Sequence, residues 1–183
     1  MSTDAIVLLK QDHKEILKAF RDFENAGEDA TAAKGKLVDK IIELLTVHTY
    51  IENEVMYPRV RELLPDLEDD VLESYEEHHV ADLLVVELAA LKPDAERFDA
   101  KTTVLIENVR HHIEEEEEEW FPKVREGLGR KQLQEIGAAV TRLSDILRAV
   151  GRVAARSLLV AAVLEIASPV RAAERASEAV ARG

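Results

Sequence analysis

Apolar residues recur along this chain three or four apart, and the every-other-residue alternation of a half-buried strand persists nowhere. Four amphipathic segments fill residues 1–128. The first runs from about Thr3 to Asn25, with Ile6, Leu9, His13, Ile16, Leu17 and Phe20 on one stripe, and stops at Asn25-Ala26-Gly27. The second begins near Ala32 and carries Ile41, Leu44, Leu45, His48, Glu52 and Val55. Pro58 kinks or ends it, because proline lacks the N–H of the helical ladder and crowds the preceding turn. The third, about Leu67 to Leu91, aligns Val71, Ser74, His78, Ala81 and Val85; the fourth, about Glu96 to Trp120, aligns Leu105, His112, Glu116 and Trp120. Helices of this length with short connections predict an all-α, up-down-up-down four-helix bundle.

Residues 129–183 read as a C-terminal helical extension. One helix is expected over 131–150, with Leu133, Ile136, Val140, Leu143 and Leu147 on a face, and a second over 152–167 that is apolar around most of its circumference. Such a helix needs cover, by packing on the bundle, in a homodimer seam or on a membrane surface through its arginines, with packing or dimerisation preferred. Arg142, Arg148, Arg152 and Arg156 are placed to face an acidic bundle, and the tail after Ser168-Pro169 has the composition of a weak helix.

Each of the four stripes carries a histidine near its middle, and the second and fourth add a glutamate one turn later. His13, His48, Glu52 and Pro58 repeat in the second half as His78, His112, Glu116 and Pro122, in the same order and at an almost constant offset. Residues four apart share a helix face, so His48 and Glu52, like His112 and Glu116, point the same way. In an antiparallel bundle the four midpoints meet at one level, which brings four imidazoles and two carboxylates into a low-dielectric core. A buried unpaired carboxylate costs several kcal/mol, on the order of a domain's whole stability margin. A bound cation removes that cost. Six such ligands exceed what one tetrahedral zinc takes and suit two metals with bridging carboxylates, for which iron, manganese and zinc are all chemically acceptable.

Composition narrows the field. With no cysteine, imidazole and carboxylate are the strong metal ligands available, and disulfides are excluded. The formal charge of −13 argues against non-specific nucleic-acid binding. That charge is uneven, since residues 130–183 hold nine basic and five acidic side chains, a net of +4, which leaves −17 for residues 1–129. Neither a basic-then-apolar leader nor a membrane-length apolar run is present, so a cytoplasmic protein without a transmembrane segment is expected.

Asp12-His13, His48-x-x-x-Glu52 with Tyr57-Pro58, Glu77-His78, and His112-x-x-x-Glu116 with Phe121-Pro122 together resemble the hemerythrin-like family, the HHE cation-binding domain, over roughly residues 4–126. The resemblance implies a bundle holding two iron ions with a bridging oxo or hydroxo group, ligated by His13, His48, Glu52, His78, His112 and Glu116. Ferritin-like bundles fit less well, since they use Glu-x-x-His. The chain departs from the oxygen-carrying hemerythrins, having Asp82 four residues after His78 and Glu117 five after His112, where those carry His and Asp. A more symmetric centre, open on both metals, is implied, and with it catalase-like turnover of hydrogen peroxide, with nitric oxide as a related substrate. The other class is a module that binds or senses oxygen, nitric oxide or iron without turnover; a colourless zinc protein is a third.

Several residues have plainer expected roles. His79 and His111 lie about 100° round the helix from their neighbours and are expected at the surface. Of the run Glu114 to Glu119, Glu116 and at most Glu119 are expected to face inward, the rest forming a solvated face. Tyr50, Tyr57, Trp120 and Phe121 are expected to serve packing, with lining the route to the metals or holding radicals as the alternative.

Overall fold

The computed structural model describes residues 3–27 and 29–150. It is helical, with no strand among the described residues. Helix α1 (Ala5–Glu24) starts at Asp4, whose side chain accepts from the Val7 N–H at 3.2 Å and is gripped at both oxygens by Arg125. Helix α2 (Thr31–Ile51) returns beside it. Helices α3 (Tyr57–Leu63), α4 (Glu68–Ala90), α5 (Phe98–Glu115), α6 (Phe121–Gly127) and α7 (Arg130–Val150) follow. Short connections between packed neighbours, α1 with α2 and α4 with α5, force antiparallel pairs.

Neither proline ends its helix. Between α2 and α3, and again between α5 and α6, the chain makes one wide turn, Glu52–Met56 and Glu116–Trp120, in which the N–H of Tyr57 reaches back five residues to the Glu52 carbonyl and that of Phe121 to the Glu116 carbonyl. The proline ring would collide with a carbonyl four residues back in a regular helix, and a π-turn opens room for it. The helix then resumes with a shifted face. Glu52, Met56, Tyr57 and Val60 are therefore all buried, as are Glu116, Trp120, Phe121 and Val124.

Two apolar clusters fill the interior. One gathers Ile16, Phe20, Ile41, Leu45, Val85 and Leu105 among others; the second holds Leu9, Ile51, Val71, Trp120 and Phe121 and continues into Leu133, Ile136, Val140 and Leu147 of α7. Along every bundle helix the candidate ligands fall where one cluster gives way to the other, as His13 does between Leu9 and Ile16 and His48 between Leu45 and Ile51. A polar layer thus crosses an otherwise apolar core. Helix α7 packs on α1 and α2, so that face of the extension contributes to the bundle's own interior. The expected 152–167 helix, the dimer seam, Arg152 and Arg156 lie outside the described residues.

Candidate metal centre

All six residues singled out by the repeat are buried and converge. Donor atoms of His13, His48, Glu52 and Glu116 lie within 4.8 Å of one another, and those of Glu52, His78 and His112 form a second such group. Glu52 belongs to both. Its Oε2 is 3.2 Å from His48 Nε2 and 3.4 Å from His78 Nε2. Glu116 spans the same gap from the other side, with Oε2 at 3.3 Å from His13 Nε2 and 3.7 Å from His112 Nε2. Each half of the chain supplies two imidazoles to its own position, α1 and α2 to one, α4 and α5 to the other.

The proton positions follow from the partners. His13 Nδ1 lies 2.9 Å from Glu117 Oε1, His112 Nδ1 2.6 Å from Glu77 Oε2, and His78 Nδ1 2.8 Å from Asn53 Oδ1. These oxygens accept and do not donate, so each Nδ1 carries a hydrogen, and in the neutral imidazole each Nε2 turns a lone pair into the centre. His78 Nε2 and His112 Nε2 then stand only 3.0 Å apart. Meanwhile Nε2 of His13 and His48, both oxygens of Glu52 and Oε2 of Glu116 are buried without an aligned hydrogen bond. So many orphaned acceptors in one dry place are intolerable to a neutral core. Two cations would satisfy them together, and the residues present fit that occupancy.

The electrostatics agree. Burial, reinforced by neighbouring histidines, pushes His48 and His78 well below the ordinary imidazole value, so both are neutral, as ligands must be. For Glu52, burial and then the Glu116 charge raise the carboxyl well above its usual range. Burial also opposes the charge on Glu116, but His112 and the contact with His13 outweigh it and hold that carboxyl low. In the metal-free centre the two carboxyls are therefore pushed apart, Glu52 toward its protonated form and Glu116 toward its charged one. His112 is raised; burial works against its charged form, yet Glu116 and the Glu77 hydrogen bond win.

Some participants were not legible in the sequence. Tyr57 is not mere packing, because its hydroxyl donates to Glu116 Oε1 at 2.9 Å and lies 3.3 Å from His78 Nε2. Glu117 is not part of a solvated face; it accepts from His13 and from Lys10 Nζ at 3.1 Å. Glu119, in contrast, is exposed. The signal was in the repeat, since Asn53 and Glu117 each follow a candidate ligand glutamate and both serve an imidazole on another helix. His78 and His112, rather than His79 and His111, are the buried members of their pairs, and His111 pairs at the surface with Glu115 at 3.3 Å. Phe121 stacks on His13, with ring centroids 5.7 Å apart and planes 13° from parallel.

The hemerythrin HHE cation binding domain profile matches residues 4–124, about two thirds of the chain, and the protein belongs to that family. A crystal structure of a hemerythrin HHE cation binding domain-containing protein from Mycobacterium kansasii shares the fold, with a TM-score of 0.69 at 19% identity, over 82% of this chain and 90% of that one. A protein named DNA nickase from Nostoc sp. is 27% identical over 128 residues, which are 70% of this chain but 35% of that protein, so the chain spans about a third of that relative's length.

Proposed function

We propose that this chain is a non-haem di-iron protein that turns over hydrogen peroxide in a catalase-like cycle, with nitric oxide as a related substrate. His13 and His48 would hold one iron, His78 and His112 the other, with Glu52 and Glu116 between them and an oxo or hydroxo bridge completing the pair. The observation that carries the reading is the sharing of Glu52 by two ligand groups, with both Glu52 oxygens, Glu116 Oε2 and the Nε2 atoms of His13 and His48 left without a hydrogen bond. When bound, such a pair would supply two-electron redox chemistry, by which one peroxide would be oxidised to dioxygen and a second reduced to water.

The protein's part is to place and protect. Glu117, Asn53 and Glu77 fix the tautomers of three imidazoles, and hydrogen-bonded partners of this kind change metal affinity about 10- to 100-fold. Tyr57 holds Glu116 by its outer oxygen and, with a hydroxyl pushed well above its ordinary value by burial and by Glu116, stays a hydrogen-bond donor. Apolar layers on both sides keep bulk water away. Two imidazoles at each position make the centre symmetric in its nitrogen ligands, which favours small oxidants on either metal over a carrier's one-sided binding. Strand cleavage, the activity in the Nostoc relative's name, finds no support in a chain of charge −13.

Metal analysis, the absorbance spectrum and oxygen evolution on one sample test the reading. About two irons per chain, charge-transfer bands and sustained evolution are expected, all lost together in His48→Ala and Glu116→Ala while helicity by circular dichroism persists. Two irons without turnover would leave a sensing or storage module, and absence of iron binding would sink the di-iron proposal.

A further inference from the structure

His48 is the exception among the four imidazoles. It is 2% exposed, and neither ring nitrogen has a hydrogen bond. Its Nε2 faces Glu52, so the opposite edge, which bears Nδ1, is the one turned outward from the centre. His48 also lines a cavity of about 110 Å³ bordered by α1, α2 and α7, with Asp12, Lys40, Glu43, Val47 and Arg148 among its other walls. That is several times the space a single water requires, and the walls offer polar partners for one.

The internal repeat says which wall residue matters. Glu77, the partner of His112 Nδ1, immediately precedes His78 just as Asp12 immediately precedes His13, so the two acids hold equivalent places in the two halves. Asn53 and Glu117, each next after its ligand glutamate, serve His78 and His13 in the same reciprocal manner. Three of the four places in the duplicated arrangement are thus filled by direct hydrogen bonds. Asp12 occupies the fourth, but its side chain is one methylene shorter than that of Glu77. Its Oδ1 lies 3.9 Å from Arg148 Nη2, too far for a hydrogen bond, so the guanidinium attracts the carboxylate without locking it.

We propose that Asp12 is the fourth positioning residue of the centre, holding the Nδ1–H of His48 through a water in this cavity, with Arg148 of α7 steadying Asp12 from the far side. The missing methylene is replaced by solvent, and the extension gains an electrostatic line to one ligand. The proposal deepens the metal reading above, yet its first readout needs no metal. In the full chain, metal-free and labelled with ¹⁵N at histidine, Asp12→Ala is expected to shift His48 from the Nδ1–H toward the Nε2–H tautomer while His13, His78 and His112 keep theirs.

Cobalt(II) titration gives the second readout. Asp12→Ala should weaken one of two sites about 10- to 100-fold, Glu77→Ala should weaken the other comparably, and Asp12→Glu, which restores the reach found in the second half, should return near to wild type. Arg148→Gln should move both readouts in the same direction by less. If Asp12→Ala does not fold, Asp12→Asn keeps the shape while removing the charge and is expected to shift both readouts the same way. An unchanged His48 tautomer in the folded variant overturns the proposal, as does cobalt affinity that ignores Asp12. Should the wild type take up no cobalt, the metal reading fails separately, and the tautomer alone decides the role of Asp12.

Discussion

Tyr57 and Phe121 hold matching places in the two halves of the repeat, each just beyond a wide turn and each against a histidine from the opposite half, yet only one has a hydroxyl. That oxygen donates to Glu116, the carboxylate that stays charged in the metal-free centre. A buried hydrogen bond to a charged group is worth about 1.5–3 kcal/mol. Tyr57→Phe, which gives both halves the same ring, should therefore lower the unfolding free energy of the metal-free protein by about that amount. Urea titration of the two proteins checks it; equal midpoints and slopes would mean the hydroxyl contributes nothing to Glu116. The convergence of the six candidate ligands was legible because their spacing is strict and their burial would be costly without a cation. The roles of Tyr57, Asn53 and Glu117 were not, because each serves a residue distant in sequence and its direction depends on the turn it sits in.

Those turns belong to the helices. Proline after an aromatic residue signals trouble for a regular helix, and a kink or an end was the natural reading; the chain instead widens one turn and carries on. Local sequence could not distinguish these outcomes, because what keeps the helix going is tertiary: Val60 and Val124 must reach the same apolar cluster as Leu9 and Ile51. Helix α7 shows the converse, a face fully readable as 133, 136, 140, 147, whose destination required the fold. Its seat is close. A β-carbon on Gly137 would lie 1.8 Å from the Thr3 carbonyl oxygen, a contact that only backbone movement relieves. Ala in place of Gly normally favours a helix by about 1 kcal/mol, but here the clash dominates. Gly137→Ala is expected to lower stability by about 1–3 kcal/mol, measured by equilibrium unfolding; a stabilised variant would mean α7 does not pack on the start of α1 in solution.

Taken over the whole molecule, the centre makes stability depend on pH in two opposed ways. Burial depresses His48 and His78 below 6.5, so the folded protein binds fewer protons than the unfolded chain in the window beneath that value, and stability is lost as pH falls through it. Glu52 is raised above 4.5; its contribution is fully present below 4.5 and is lost as pH rises through the folded value. The metal-free fold is thus penalised from both sides. Cations remove the second penalty by taking the place of protons. His48 and His78, held low, release none where they are neutral, whereas Glu52 gives one up where it is protonated, and His112, raised above 6.5 once Glu116 and Glu77 outweigh burial, gives up another where it is charged. Metal affinity should therefore climb with pH until the raised folded values of Glu52 and His112 are passed. The gap in melting temperature between metal-loaded and metal-free protein should widen as pH rises from about 5, and calorimetry in two buffers of different ionisation enthalpy should detect protons released on binding. A gap independent of pH, with no proton released, would show that the cation does not enter between these carboxylates and imidazoles.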